Sequence, residues 1–314
     1  MPDDHRLRIG REIFLAAFGL ALDSVDPWVL DRMTSILDEQ EFRAGQTLFA
    51  AGEPVEFLYF MQDGRVRFTR ADGLSWTLRG RWVLGSFEAI GDRASAHTAT
   101  ALSDFRGMRV SGAAWVEMLE DSFPIARSAV VNASRATTRL EERVPTGDLV
   151  APDVAPLLST VPPGTLSLVD RLALLLDVRM LRFGGVQALA DLAAVSQQVS
   201  FAPGESIVER GVSQDHLVRI VDGEALAERE DPAVVRRVGP GELVCGSAIL
   251  GRVADAWRAR CVTPIRGISF PISALFDLME EHFDLVRSML AALSGRRQQL
   301  LEHLAATTPD LEIT

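Results

Sequence analysis

Apolar and polar positions along this chain follow two different periods, and the switch between them happens twice in the same order. Residues 11–40 carry helical spacing. In its second part Asp26 can cap, Pro27 suits a first helical turn, and Val29, Leu30, Met33, Ile36 and Leu37 share one face. From Glu41 to Val110 the period shortens to that of strands, predicted at Thr47–Ala50, Glu56–Gln62, Arg65–Arg70, Trp76–Arg79, Thr98–Leu102 and Phe105–Val110. Turn residues separate them at Ala44-Gly45, Asp63-Gly64 and Asp72-Gly73. Helical spacing returns from Ala113 to about Glu142, interrupted near Pro124. The second half repeats this order: helices at Leu166–Val178 and Val186–Gln197, short strands from Val199 to Phe270, and helices from Ser273 to about Ala305.

The repetition extends to single residues. FRAGQTLFAAGEPVEFLYFMQDGRV (Phe42–Val66) parallels FAPGESIVERGVSQDHLVRIVDGEA (Phe201–Ala225), so Gly45, Gly52 and Gly64 fall on Gly204, Gly211 and Gly223 at a constant offset. Trp115–Ser128 likewise parallels Leu275–Ser288. A supersecondary unit used twice is a duplicated domain. The proline-rich stretch from Val144 to Thr165 is the natural connector, which predicts a first domain at 11–142, a linker at 143–165 and a second domain at 166–308.

Composition narrows the class. With 47% hydrophobic and 24% charged residues the chain reads as an ordinary globular protein, and no apolar run reaches the ~18 residues of a membrane span. Asp3, Asp4 and Asp23 argue against a signal peptide at the N-terminus. A formal net charge of -11 disfavours nucleic acid unless basic residues gather in one patch, and the nearest candidate is Arg296-Arg297. Cys245 and Cys261 cannot make a disulfide framework; they fit a reducing cytoplasm and read as small buried hydrophobes. The expected location is therefore cytoplasmic, with no membrane and no nucleic-acid partner.

On these residues the chain resembles the cyclic-nucleotide-binding domain family, which includes the catabolite-activator-type bacterial regulators and the regulatory subunits of cyclic-AMP-dependent kinase. The carriers are F-x-x-G-x-x-[LI] at Phe42–Leu48 and Phe201–Ile207, then Gly52 and Gly211, Asp63-Gly64 and Asp222-Gly223, the late glycines Gly85 and Gly246, and Ala101–Asp104. The resemblance covers nearly all of both halves. It implies an α+β fold: two tandem antiparallel jelly rolls, each flanked by helices.

The family holds its ligand with a cassette resembling F-G-E-L-A-L-x-x-x-x-P-R-A-A-T, whose Glu takes the ribose hydroxyl and whose Arg neutralises the cyclic phosphate. A buried phosphate monoanion needs such a cation or several oriented N–H donors. The first cassette is LGSFEAIGDRASAHTAT (Leu84–Thr100). Anchored on Gly85, the Glu and Arg positions fall on Ser86 and Ser95. A register shifted by two puts Glu88 and His97 there, followed by Thr98 to Thr100. The second cassette is CGSAILGRVADAWRARC (Cys245–Cys261), where Gly246 is followed by Ser247 at the Glu position, Asp255 stands at the Arg position, and Trp257 and Arg258 come after. A carboxylate in place of the guanidinium repels the phosphate by about 4 kcal/mol at an effective dielectric of ~20 and ~4 Å, roughly a thousandfold in affinity.

Other chemistry finds little support. Histidines 5, 97, 216, 282 and 303 show no metal-ligand spacing, and no Ser–His–Asp motif, P-loop or G-x-G-x-x-G stands in a supporting context. His97 reads as a half-buried strand residue, Ser86 and Ser247 as small turn residues, and Trp76, Trp82 and Trp257 as core or pocket-filling rings. On the last helix Leu285, Val286, Met289, Leu290, Leu293, Leu300, Leu301 and Leu304 form a face wider than a two-residue seam. Packing on the protein's own roll accounts for half of it, and the remainder suggests a protein partner or a homodimer through the terminal helices. No helix-turn-helix pattern follows in ATTPDLEIT.

The residues thus predict a non-enzymatic regulatory or scaffold protein with degenerate pockets, no metal and no cofactor. The rival reading is a sensor that binds a cyclic nucleotide or another small anion in the first pocket through Gly85, Ser86, Glu88, His97, Thr98 and Thr100. In that reading the second pocket, with Gly246, Ser247, Asp255, Trp257 and Arg258, is inactive.

Overall fold

A computed structural model describes residues 31–32, 35–91, 94–144, 161–182, 184–230, 233–254 and 257–314. The expected helices before residue 31, most of the proline-rich connector, and Asp255 lie outside the described residues. The chain forms two compact units: Met1–Asn132 with Gln298–Thr314, and Ala133–Arg297.

Unit 1 is a β-roll of two sheets. One has the strand order β1 (Asp38–Phe42), β8 (Phe105–Ser111), β3 (Phe57–Met61), β6 (Trp82–Leu84). The other runs β16 (Glu312–Ile313), β5 (Ser75–Arg79), β4 (Arg65–Arg70), β7 (His97–Ala101), β2 (Thr47–Phe49). Alternation sets the faces. Along β7 His97, Ala99 and Ala101 are buried while Thr98 and Thr100 are half-buried on the other side. A short helix α1 (Ser86–Gly91) interrupts the strands, and α2 (Gly112–Asp121) and α3 (Phe123–Glu141) follow β8. Ser111 caps α2 by accepting from the Ala114 amide. Pro124 does not break a helix: it sits in the first turn of α3, where its missing N–H costs nothing.

Unit 2 repeats the order of the roll's main strands. Its sheets are β9 (Gln197–Phe201), β15 (Ile265–Pro271), β11 (His216–Asp222), and β10 (Ser206–Val208), β14 (Arg258–Cys261), β12 (Ala225–Glu230), β13 (Ala233–Val238). Where unit 1 has β6, unit 2 keeps only an isolated bridge between Arg219 and Leu243. Helices α4 (Leu168–Leu176) and α5 (Val186–Val195) precede the roll, α6 (Gly246–Leu250) occupies the place of α1, and α7 (Ile272–Glu281) and α8 (Phe283–Thr307) follow. Ser167 and Asp170 form a capping box on α4. The chain leaves unit 1 within α3 and returns to it within α8.

Three stretches take on a definite structural role, and one of them, the α8 face, corrects an expectation. The chain end, read only as lacking a DNA-binding pattern, forms β16 parallel to β5, with Ile313 buried and Glu312 paired to Arg65. The apolar face of α8 leaves no half for a partner, because Leu285, Val286, Met289, Leu290 and Leu293 in unit 2 and Leu300, Leu301 and Leu304 in unit 1 are all buried. Arg296-Arg297 is no surface patch either: Arg296 is 12% exposed and pairs with Glu141.

The repeated glycines differ in what they permit. Gly204 has φ +84 with open space around it, so alanine there meets only backbone strain. Gly223 has φ +93, and a Cβ would lie 2.2 Å from the Pro264 carbonyl oxygen. Urea denaturation should therefore show a cost of about 1–2 kcal/mol for Gly204→Ala. Gly223→Ala should cost more than about 3 kcal/mol, since strain and overpacking add. Equal costs would contradict this reading of the turn.

Candidate functional site

In unit 1 the first cassette wraps the junction of β6, α1 and β7. Gly85 takes φ +76, and a Cβ there would press on the Phe57 carbonyl and Val55. Ser86 opens α1. Glu88, in the same first turn, is only 7% exposed. Ser95 joins the two registers that the sequence allows. Its Oγ lies 3.1 Å from Glu88 Oε1 and 2.8 Å from the His97 carbonyl, and accepts from the His97 amide at 3.1 Å. Glu88 and His97 are thus brought into one buried cluster through Ser95. Thr98 and Thr100 are not part of it: they face the other side of β7, where Thr98 Oγ1 accepts from the Ala51 amide.

The His97 ring is 2% exposed and meets the Trp76 ring edge-on at 4.7 Å; Trp76 in turn stacks on Phe68 at 5.5 Å. From the end of α8, Glu302 brings Oε1 to 3.1 Å from His97 Nε2, off the linear hydrogen-bond direction. The same carboxylate accepts from Gln298 at 3.0 Å and from Arg70 at 3.0 Å. His97 and these donors hold the Glu302 carboxyl below its ordinary pKa of 4.5. Burial does the opposite to Glu88, pushing its carboxyl up, with Ser95 only partly offsetting it. One carboxylate is stabilised as an anion and the other is poised to hold its proton. Nothing in the sequence pattern links Glu302 to His97, since they lie 205 positions apart (302 − 97).

In unit 2 the equivalent helix α6 starts after Cys245, which takes a left-handed φ of 50°. Its thiol is buried and its pKa is pushed up to about 12 by desolvation, so it stays protonated and unreactive. Trp257, 5% exposed, lines one small space together with Ala248 and Ile249 of α6. The space left between the helix, Val208, Val212 and Trp257 is about 20 Å³, room for about one water. Arg258 turns to Glu228, which it meets at 2.7 Å. Ser247, at the family's glutamate position, donates at 2.6 Å to Glu141 Oε2 at the end of α3. Glu141 is 6% exposed and lies 3.3 Å from Arg296 Nε and 3.9 Å from Arg236 Nη1. Arg236 also pairs with Glu242 at 2.7 Å. The Ser247 hydroxyl is thus engaged by a carboxylate from another helix that also faces two arginines. Among the described residues no cluster of His, Cys, Asp or Glu could hold a metal ion, and no helix is long and apolar enough to cross a membrane.

The family model for the cyclic nucleotide-binding domain matches residues 39–122, which is the roll of unit 1 with α2. The fold is a tandem of two cyclic-nucleotide-binding-like β-rolls, the second repeating the first in strand order. No curated protein sequence matches. Among solved structures the chain is similar to the regulatory subunit of a cAMP-independent protein kinase A from Trypanosoma brucei, at 14% identity over 94% of this chain and 90% of that one, with a TM-score of 0.36. It is also similar to the regulatory domain of Toxoplasma gondii protein kinase A crystallised with cAMP, at 15% identity over 92% and 95% of the two chains, with a TM-score of 0.33. The sensor domain of the transcriptional regulator DNR from Pseudomonas aeruginosa matches at 18% identity over 42% of this chain and 91% of that one, with a TM-score of 0.38. Likenesses this distant identify no ligand.

Glu88 gives a direct check on the unit 1 cluster. Its raised folded-state pKa means the native state holds the proton longer than the unfolded chain does. The stability this contributes is complete below the ordinary value of 4.5 and is lost as pH rises through the folded value. Glu88→Gln, which cannot ionise, should remove that decline. The difference in urea-unfolding free energy between variant and wild type should grow in the variant's favour from pH 4 to pH 8. A difference that stays constant with pH would contradict a buried carboxyl at this position.

Proposed function

We propose that the protein is a non-enzymatic regulatory or scaffold protein that acts through protein–protein contacts, with its second cassette closed to cyclic nucleotides. The observation that carries this reading is the filled space behind α6: about 20 Å³ beside Trp257, where a drug-sized ligand needs roughly 300 Å³ or more. Ser247 supports it, because its hydroxyl is committed to Glu141. In a ligand-operated roll the bound molecule biases one packing of the neighbouring helices. Here the carboxylate of α3 makes that contact without a ligand, so the second roll works as a fixed frame. The sequence repeats 11–142 and 166–308 are the proposed functional domains, the setting is the cytoplasm, and the partner is a protein.

A second reading is favoured by one specific observation, the Glu88–Ser95–His97 cluster next to Trp76 in unit 1. There a carboxyl whose pKa burial raises and an imidazole could receive the hydroxyls and the anionic group of a cyclic nucleotide or another small anion. Glu302, now facing His97, would have to give way.

Isothermal titration calorimetry separates the two. With cyclic AMP or cyclic GMP at micromolar concentration the first reading gives no heat. Saturable heat that disappears in His97→Ala would establish the sensor reading for the first roll. Heat that survives His97→Ala but is lost in Ser247→Trp would place the nucleotide in the second cassette and overturn the proposal.

A further inference from the structure

A second cavity in unit 2, of about 440 Å³, is more than large enough for a small molecule, and Trp257 is not among its walls. All of its lining residues belong to unit 2. Its walls are mainly apolar, with Leu174, Val178, Val221, Leu243 and Leu293 among them. Most of its charges are matched. Glu141 is engaged with Ser247, Arg296 and Arg236, Glu242 with Arg236 and the Gly239 amide, and Asp222 with Arg266.

Arg219 is the exception. It projects from β11, its side chain is 3% exposed, and it lines the cavity. Among the described residues its guanidinium makes no hydrogen bond. Asp177 Oδ2 lies 3.7 Å from Nη2, beyond hydrogen-bond length, and Nε is buried without an acceptor. Burial disfavours the charged form of this group, and Asp177 only opposes that effect. A guanidinium offers five donors in a planar fork, and leaving them dry and unsatisfied is costly. The shape asks for two coplanar oxygens. The charge asks for a single negative one, because a dianion would face the Asp177 carboxylate, which also lines the cavity.

We propose that this cavity binds a small amphipathic monocarboxylate, its carboxylate forked on Arg219 and its apolar body against Leu174, Val178, Val221, Leu243 and Leu293. The inference does not rest on the functional reading above. The cavity borders the second cassette at Gly246 and Ser247, so the separating case is the first: a nucleotide found there would defeat that reading and leave this one standing.

The test is calorimetric and thermal-shift titration of the full chain with octanoate, octanol and octyl phosphate. Octanoate should bind and raise the melting temperature. Octanol, which has the same tail without the oxyanion, and octyl phosphate should bind at least about tenfold more weakly. Arg219→Met keeps the volume and removes the fork, and should weaken octanoate about 10- to 100-fold. Ala292→Phe, which fills the cavity from α8 and leaves Arg219 in place, should cause a comparable loss and decides the matter if Arg219→Met does not fold. No octanoate binding, binding unchanged in the variants, or octyl phosphate binding more tightly than octanoate would each overturn the proposal.

Discussion

A carboxylate cannot stay buried without donors, and Glu141 finds its donors in the second cassette. Ser247 Oγ donates at 2.6 Å, and Arg296 and Arg236 bring positive charge to 3.3 and 3.9 Å. Removing one partner of such a cluster would leave an uncompensated charge, at a typical cost of about 3–5 kcal/mol. The arrangement is therefore rigid. It ties the end of α3 to the first turn of α6 through side chains alone. Trp257 completes this by filling the space on the far side of α6.

The two rolls share one topology and have treated the same cassette differently. In unit 1 polar groups remain at its centre: Glu88, Ser95 and His97 are buried together, and the last helix answers with Glu302. In unit 2 the space beside α6 is lined by Val208, Ala248, Ile249 and Trp257, and the charged cluster of Glu141, Arg236 and Arg296 meets the helix at Ser247. Duplication permits this. Once one copy keeps the architecture, the other is free to differ in its cassette, because turns such as Gly204 and Gly223 that define its roll lie outside that stretch.

Those turns are why the fold was legible before any coordinates. Gly45, Gly64 and Gly85, and Gly204 and Gly223, all have positive φ, and at Gly64 and Gly223 a Cβ would collide with Phe105 and with Pro264. Such constraints are local, so they leave a mark in the order of residues. The candidate sites were legible only in part. Gly85, Glu88, His97, Gly246, Ser247 and Trp257 sit on short stretches that the cassette spacing marks. Glu302 opposite His97, Glu141 opposite Ser247 and the solitary Arg219 could not be found that way, because tertiary packing alone makes them neighbours. The same limit explains the α8 face and Arg296. Period and charge describe a helix surface but not what covers it. β16 is shorter than any pattern can reveal.

The most direct measurement is a crystal structure of the full chain grown in millimolar cyclic AMP. The account predicts Trp257 still packed on Ala248 and Ile249, Ser247 still donating to Glu141, and no nucleotide beside α6. A nucleotide seated against that helix, with Trp257 swung out and Glu141 released, would contradict it.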